Sequence, residues 1–265
     1  MSTPSHRKLA VVTGASAGIG AVYADRLAAR GYDLLLIARR RDRLEEVASR
    51  IAAAHGRKAE ILVADLAEEA DLARVERDLA GRADIELLVN NAGIARFGQI
   101  AKAPASDSAA QIALNIGALT RLTHAVLPGF VARDRGTIIN IASILSLHTL
   151  PHSAVYSGTK AYVLAFSRGL QAELEGTGVK VQSVHPPATA TDIWEIAGIP
   201  LESFDSEKIM RTEDLVDAAL AGLDRGEAIT WPSVADDALW NGFDSARAAI
   251  VEASQTRKPA PRYVD

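Results

Sequence analysis

Not one cysteine occurs among the 265 residues. Disulfides and thiolate chemistry are therefore excluded, and the composition suits a reducing compartment, so a cytoplasmic location is expected. Also missing is any uninterrupted apolar stretch of about 18 residues, which leaves no candidate for a membrane span. Met1 to Lys8 are polar and lead directly into the short run Leu9–Val12, without the apolar core of a signal peptide, so no targeting segment is expected. Neither sign of charge dominates: 29 basic and 33 acidic residues give a net charge of -4, no field that would recruit nucleic acid. Repeats and low-complexity tracts are absent as well.

What is present is 48% hydrophobic and 23% charged residues, the make-up of a globular chain with a large core, and this excludes disorder as the main state. Strand-like apolar runs occur at Leu9–Val12, Leu34–Ala38, Ala59–Ala64, Glu86–Asn90, Thr137–Ala142, Val179–His185 and Ala228–Trp231, with helical patterns between them. Such alternation predicts an α/β fold, a doubly wound parallel sheet with helices on both faces in three layers. The segment Arg41–His55 carries Leu44, Val47, Ala48 and Ile51 at helical spacing, and Gly56 is placed to end it. A longer helix is expected from Ser106 to Val131, with Pro128 marking a bend or a distinct last turn. Between Asp192 and Arg211 the period is lost while Trp194, Ile196, Ile199, Leu201, Phe204, Ile209 and Met210 keep the segment apolar, which reads equally as a substrate lid or a packed excursion. The whole is expected to be one domain over residues 1–265, with flexible tails at 1–7 and 255–265.

Directly after the first strand comes Thr13-Gly14-Ala15-Ser16-Ala17-Gly18-Ile19-Gly20, followed by a helical pattern closed by Gly31. Glycines let the backbone turn tightly against a pyrophosphate, and the free N–H groups at the positive end of the helix meet its charge. The motif is thus a candidate dinucleotide cradle built on Gly14, Ser16, Gly18, Ile19 and Gly20. The second strand ends at Ala38 and is followed by Arg39, Arg40 and Arg41, nineteen residues and more beyond Gly20. An acid at this point would hold the ribose hydroxyls of NAD, whereas arginine suits the 2′-phosphate of NADP. Cations at a helix start oppose its dipole by roughly 0.3–1 kcal/mol each, a cost that a bound anion relieves. NADP(H) is therefore favoured over NAD(H), with Arg39 and Arg40 as the contacts.

Tyr156 and Lys160 lie four residues apart, and Ser143 precedes the tyrosine by thirteen. On a helix the i and i+4 positions share a face, so the Lys160 ammonium is expected to approach the Tyr156 hydroxyl and to lower its pKa toward the operating pH. Alone, the pair is weak. Combined with the glycine turn, with Asp65-Leu66 after the third strand, Asn90-Asn91-Ala92-Gly93 after the fourth and Asn115 in the long helix, the set resembles the short-chain dehydrogenase/reductase family from about Leu9 to Trp231.

This resemblance implies a seven-stranded Rossmann sheet, with Asp65 and Leu66 near the adenine and Asn91, Ala92 and Gly93 beside the cofactor. It further implies Tyr156 as the acid in carbonyl reduction, Ser143 as the group orienting the substrate oxygen, and Lys160 on the nicotinamide ribose. Asn115 would keep a water that links the lysine to solvent. One departure stands out: where the family has Pro-Gly after the sixth strand, this chain reads His185-Pro186-Pro187-Ala188-Thr189-Ala190-Thr191. Pro187 fixes φ and removes an N–H, so a different loop path is expected there. Pro186, Thr189 and Thr191 remain matched to family positions that contact the cofactor.

No metal is required. His148 and His152 are separated by Pro151 and read as loop histidines bordering the substrate entrance. Ile144, Leu145, Leu147, Phe97 and Trp194 fall where the family borders its substrate. The expected function is hydride transfer between NADP(H) and a small to medium, largely apolar ketone or secondary alcohol, with no nucleic-acid or membrane partner. Two other readings stay open. One is a 3-oxoacyl thioester reductase of the acyl-carrier kind, docked through arginines such as Arg121 and Arg133. The other is an NADP-binding redox sensor without turnover. The resemblance also implies a homodimer or homotetramer, and the segment Trp231–Ile250, with Trp240 and Phe243, is a candidate interface or pocket cover.

Overall fold

Alternation along the first strand sets the layers. In β1 (Leu9–Thr13), Leu9 and Val11 point into one apolar cluster while Ala10 and Val12 point into another on the opposite face. A strand with both faces buried belongs inside a parallel sheet covered twice, which is why these strands read as continuous apolar runs. The computed structural model describes residues 8–197 and 205–264. Of the expected lid, Ile199, Leu201 and Phe204 lie outside the described residues, as does the N-terminal stretch 1–7.

The sheet has seven parallel strands in the order β3-β2-β1-β4-β5-β6-β7. Besides β1 these are β2 (Asp33–Ala38), β3 (Ala59–Val63), β4 (Ile85–Asn90), β5 (Gly136–Ile141), β6 (Val179–Val184) and the short β7 (Ile229–Thr230). Helices α1 (Gly18–Ala29), α2 (Arg41–His55) and α8 (Thr212–Asp224), the last preceded by the short α7 (Ile193–Ile196), cover one face. Helix α3 (Glu69–Ala80) covers the other together with α5 (Leu119–Ala132) and α6 (Ala154–Glu173). The Arg41–His55 helix begins and ends where its pattern indicates, and Gly56 closes it in the left-handed conformation at φ 61°.

The long helix expected from Ser106 to Val131 is three pieces. Helix α4 (Ala105–Ile112) passes into a π-helical stretch, Ala113–Ala118, and then into α5, which runs through Pro128 to Ala132. The irregularity sits at Asn115 and not at the proline, the placement typical of π-turns beside functional sites. Two units divide the chain, Met1–Pro232 and Ser233–Asp265. Among the described residues, the first holds every strand. The second holds helix α9 (Asp237–Ala253) and a short 3₁₀ turn at Pro261–Tyr263.

Because the strand order reverses direction at β1, the connections leaving β1 and β4 diverge and a crevice opens at the C-terminal ends of these two strands. One side chain spans its floor. The Thr13 hydroxyl donates to the Val89 carbonyl at 3.1 Å and accepts from the backbone N–H groups of Asn91 and Ala92, both at 3.0 Å. Asn91 returns the tie by donating through Nδ2 to the Thr13 carbonyl at 2.9 Å. Replacing Thr13 by valine preserves shape but leaves two buried-edge N–H donors without an acceptor, a loss of about 1–3 kcal/mol. Urea unfolding of Thr13→Val is expected to show that destabilisation, and an unchanged midpoint would contradict the role given to this hydroxyl.

Candidate active site

The crevice is a cleft of about 400 Å³. Its phosphate end is made by the turn between β1 and α1, where the backbone must come close to neighbouring backbone. Gly14 has φ +65°, and a Cβ there would lie 2.8 Å from Asn91 Nδ2. At Gly20 a Cβ would lie 2.4 Å from the Gly14 carbonyl oxygen, so a side chain at either position would wedge the turn apart. No acidic residue occupies the first turn of α1, which leaves its positive end facing the cleft. Of the residues singled out for the cofactor, all but Gly20 line this cleft; Gly20 instead sits beneath the turn and permits its closure.

At the β2 end, Arg39 and Arg40 reach the cleft and Arg41 does not, being paired with Glu45 along α2 at 3.7 Å. Arg40 donates to Ser16 Oγ at 3.3 Å and lies 3.6 Å from the Asp192 carboxylate. Arg39 approaches Asp65 at 3.5 Å and keeps most of its side chain exposed. Asp65 itself accepts from the Ala67 N–H at 3.0 Å, which fixes the turn after β3. Two guanidinium groups and a hydroxyl thus converge at this end.

At the other end are the reacting side chains. Ser143 follows β5 and opens a 3₁₀ turn, Ile144–Ser146, by accepting the Leu145 N–H on its hydroxyl at 3.1 Å. Tyr156 and Lys160 project from the first turns of α6, and both line the cleft together with Ser143. Lys160 Nζ donates to the Ile141 carbonyl at 2.8 Å and stands 5.7 Å from the Tyr156 ring centre. Helix α6 is anchored to the sheet by a polar chain in which Asn90 Nδ2 donates to Asn140 Oδ1 at 2.9 Å, and Asn140 Nδ2 to Ser167 Oγ at 2.9 Å. Asn115 lies behind this end and not on the cleft wall: its Oδ1 accepts the Ile94 N–H, and its Nδ2 donates to the Ile94 carbonyl, each at 2.9 Å, and to Thr159 Oγ1 at 3.1 Å. The amide thereby clamps the strand-end loop next to Gly93 onto α6.

The expected lowering of the Tyr156 pKa is corrected by the structure. Burial pushes the phenol up to about 12, opposed by its hydrogen bond with Ser143, and burial pushes the Lys160 ammonium down to about 8. Loss of solvent outweighs the attraction expected from the i, i+4 spacing, and the hydrogen bond that the Lys160 ammonium makes is to the Ile141 carbonyl. Near neutral pH the pair is therefore a neutral phenol, a proton donor, beside a largely protonated ammonium.

His185, which the motif reading passed over, is fully buried behind Ser143. Its Nδ1 faces the Ser143 carbonyl at 3.2 Å and Ser146 Oγ at 3.0 Å, and its Nε2 faces Ser183 Oγ at 3.0 Å. A carbonyl can only accept, so the proton sits on Nδ1 and Ser183 donates to Nε2. Burial lowers its pKa to about 4, opposed by the bond to Ser143, so the ring is neutral. The Pro-Pro departure after β6 leaves the loop well tied: Ile144 N–H donates to the Pro186 carbonyl at 3.0 Å and Thr189 Oγ1 to the Pro187 carbonyl at 2.9 Å.

The wall beside Tyr156 is apolar. Phe97 meets the Tyr156 ring edge to face at 5.6 Å and stacks on Trp194 at 6.4 Å, and Leu145, Leu150 and Ile193 extend the surface. Trp194 is held by its indole N–H, which donates to the Thr189 carbonyl at 2.8 Å. Leu147, His148 and His152, expected beside the substrate, do not line the cleft. The arginines considered for carrier docking are engaged elsewhere: Arg121 binds Glu76 and Glu69 of α3, and Arg133 donates to the Ile85 carbonyl and lies over Phe130.

The profile of the short chain dehydrogenase family matches residues 8–198. The chain belongs to that family. A solved short-chain dehydrogenase from Sphingobium yanoikuyae in complex with NADPH is 42% identical, with a TM-score of 0.93 over 97% of this chain and 99% of that one. The bulky-bulky ketone specific alcohol dehydrogenase from Comamonas testosteroni is 36% identical, with a TM-score of 0.89 over 98% of this chain and all of its own. Among curated relatives, the very-long-chain 3-oxoacyl-CoA reductase of Anas platyrhynchos is 39% identical over 193 residues, 71% of this chain. The chain spans 62% of that relative's length, under two thirds. An inactive hydroxysteroid dehydrogenase-like protein 1 from Homo sapiens is 37% identical over 69% of the chain and 56% of its own length.

The two pKa shifts predict opposite slopes in stability. Lys160 binds its proton less tightly folded than unfolded, so the penalty it imposes below pH 8 is relieved as pH rises from about 8 to 10.5. Tyr156 binds its proton more tightly when folded, so the stability it contributes below pH 10 is lost as pH rises from about 10 to 12. Thermal melts of wild type and Lys160→Met between pH 7.5 and 10 are expected to diverge, the wild type gaining up to about 3 kcal/mol relative to the variant. Parallel curves would mean that the lysine is not held in a desolvated site.

Proposed function

We propose that this dehydrogenase reduces apolar ketones, and in reverse oxidises the corresponding secondary alcohols, with NADP(H). The observation that carries this reading is the convergence of Ser143, Tyr156 and Lys160 at the inner end of a cleft whose outer end presents Arg39, Arg40 and Ser16. Gly14, Gly18 and the α1 N-terminus suit a pyrophosphate, and the arginines suit a 2′-phosphate. A nicotinamide dinucleotide held by these residues would supply the hydride for carbonyl reduction.

The chain's own part is electrostatic and protonic. A ketone oxygen placed between the Ser143 and Tyr156 hydroxyls is polarised by both, and the negative charge that develops on it during reduction is stabilised by donors already fixed in a buried site. Tyr156 then gives up its proton to that oxygen. A phenol with its pKa pushed to about 12 holds this proton firmly until an alkoxide, a far stronger base, forms beside it. The Lys160 charge, kept close by Ile141, stabilises the phenolate left behind. Phe97, Trp194, Leu145 and Leu150 offer the substrate's carbon skeleton an apolar wall, and the ketone specificity named for the Comamonas enzyme supports that class.

Replacing Tyr156 by phenylalanine is expected to lower ketone reduction by about 10²–10⁴-fold while NADPH still binds, as read by nicotinamide fluorescence. Full reduction by a variant that binds normally would sink the mechanism. A panel that adds 3-oxoacyl thioesters separates the ketone reading from the one suggested by the acyl-CoA reductases, and absence of turnover across the panel with NADPH bound would favour a sensor. Removing both Arg39 and Arg40 as alanines is expected to weaken NADPH binding ten- to a hundredfold, on the scale of about 1.5–3 kcal/mol for charged hydrogen bonds, and to leave NADH little changed. Equal turnover of the wild type with the two cofactors at equal concentration would refute the preference.

A further inference from the structure

The residue that follows β6 is a histidine with no part in the proposed reaction, yet it is buried completely against the turn that carries Ser143. Its backbone N–H donates to the Thr230 carbonyl at 2.9 Å, which continues the pairing of β6 with β7 and fixes the point from which the side chain leaves. The imidazole stacks on Trp231 at 4.0 Å, with the ring planes 27° apart. Its nitrogens then have one assignment. Ser183 Oγ stands 3.0 Å from Nε2, while Nδ1 stands 3.2 Å from the Ser143 carbonyl and 3.0 Å from Ser146 Oγ, so the single N–H of the neutral ring is on Nδ1 and points into the Ser143 turn. Burial keeps the ring neutral by pushing its pKa down to about 4.

The turn is registered on the end of β6 by Ala142, whose N–H donates to the Val184 carbonyl at 2.8 Å, and by Ile144, whose N–H donates to the Pro186 carbonyl at 3.0 Å. Any sequence can form these backbone bonds. They hold the residues on either side of Ser143 and leave its own carbonyl to the turn, where it accepts the Ser146 N–H at 2.9 Å. A carbonyl oxygen has two lone pairs, and the imidazole takes the second. The Ser143 hydroxyl is oriented by the Leu145 N–H at 3.1 Å, inside the same turn, so a tilt of the turn moves the hydroxyl that lines the cleft beside Tyr156. We propose that His185 is a positioning residue for carbonyl reduction: its Nδ1–H, donated to the Ser143 carbonyl, sets the turn in which the Ser143 hydroxyl is aimed at the substrate oxygen. The imidazole does not line the cleft, so it acts through the serine. This role rests on the reaction proposed for the site, with Ser143 on the substrate oxygen. If the ring only filled space beside Trp231, a phenyl ring would serve as well.

The test compares the full chain as wild type, His185→Phe, His185→Asn and His185→Gln on the ketone or thioester that wild type reduces fastest, with thermal melts and NADPH binding as folding controls. Phenylalanine keeps a ring against Trp231 and removes both nitrogens, whereas asparagine carries an N–H donor at the reach of Nδ1 and glutamine carries it one bond farther out. Loss of a whole oxyanion donor costs about 10²–10³-fold in kcat, so a serine in a loosened turn is expected to cost His185→Phe about 10–100-fold in kcat, with NADPH affinity unchanged. Asparagine should restore most of that loss, and glutamine should not. In a Ser143→Ala background the phenylalanine change should cost little more, because a residue that acts through Ser143 then has nothing to position. Full activity in His185→Phe would overturn the proposal, as would the same loss with and without the serine. Should the phenylalanine protein fail to fold, asparagine against glutamine makes the same comparison. The tautomer is read without turnover, by nitrogen NMR of isotope-labelled histidine with His185→Asn identifying the resonance. A proton on Nε2 would also overturn the proposal, whereas a proton on Nδ1 in a protein that reduces no carbonyl compound would uphold the bond to Ser143 and count against the reaction instead.

Discussion

Everything at the site depends on the divergence of the connections that leave the paired strands β1 and β4. Two parallel strands whose connections leave in opposite directions open a crevice at their ends, and a crevice between apolar faces would close or flood unless its floor were pinned. The Thr13 hydroxyl supplies the pin, accepting two N–H groups from the chain after β4 and donating to β4 itself. Above it, the turn at Gly14 and the approach of Gly20 are so close that no Cβ fits. Backbone N–H groups are thereby aimed into the cleft by packing that no side chain could tolerate, and a phosphate-binding end follows from sheet topology and from the two residues lacking bulk.

The same enclosure governs the chemistry. Burial raises the Tyr156 phenol, lowers the Lys160 ammonium and lowers His185, so each group is driven toward its neutral form and the polar contacts decide what remains. Lys160 keeps its proton near neutrality with a carbonyl to receive it. His185 keeps none to spare, and its single N–H is directed at the loop that carries Ser143. A charged imidazole there would confront Lys160, whereas a neutral one can brace the serine without disturbing the potential at the phenol.

Sheet and cradle were legible in the sequence because both depend on local rules. Alternating burial in β1, the stripe of Arg41–His55 and the glycine turn all express periods or exclusions that a short window contains. What escaped depends on contacts remote along the chain. The π-helical stretch at Ala113–Ala118 serves Asn115, whose partners Ile94 and Thr159 lie 21 and 44 residues away, so no helical pattern could announce it and Pro128 drew attention instead. The i, i+4 rule placed Tyr156 and Lys160 together, yet the sign of the phenol's shift was set by burial, which spacing alone does not encode. Leu147 was expected at the substrate because it falls on a segment where the family borders its substrate, but it follows the 3₁₀ turn Ile144–Ser146 and does not line the cleft, whereas Leu150 does.

The loop after β6 shows how a departure from the family pattern can be absorbed. Proline in place of glycine at position 187 removes a donor, and a loop beside a reactive site can ill spare one. Here the prolines act through their carbonyls, Pro186 receiving Ile144 and Pro187 receiving Thr189, while Ala188 and Ala190 exchange hydrogen bonds with Met210. The loop is thus stitched on one side to the Ser143 turn and on the other to the segment leading into α8. From that base it reaches both ends of the cleft: Thr191 packs beside Gly18, Asp192 approaches Arg40, and Trp194 stacks on Phe97 next to the phenol. One segment thus borders both the arginine end and the apolar wall of the cleft, and Pro187 fixes φ where a glycine would be free.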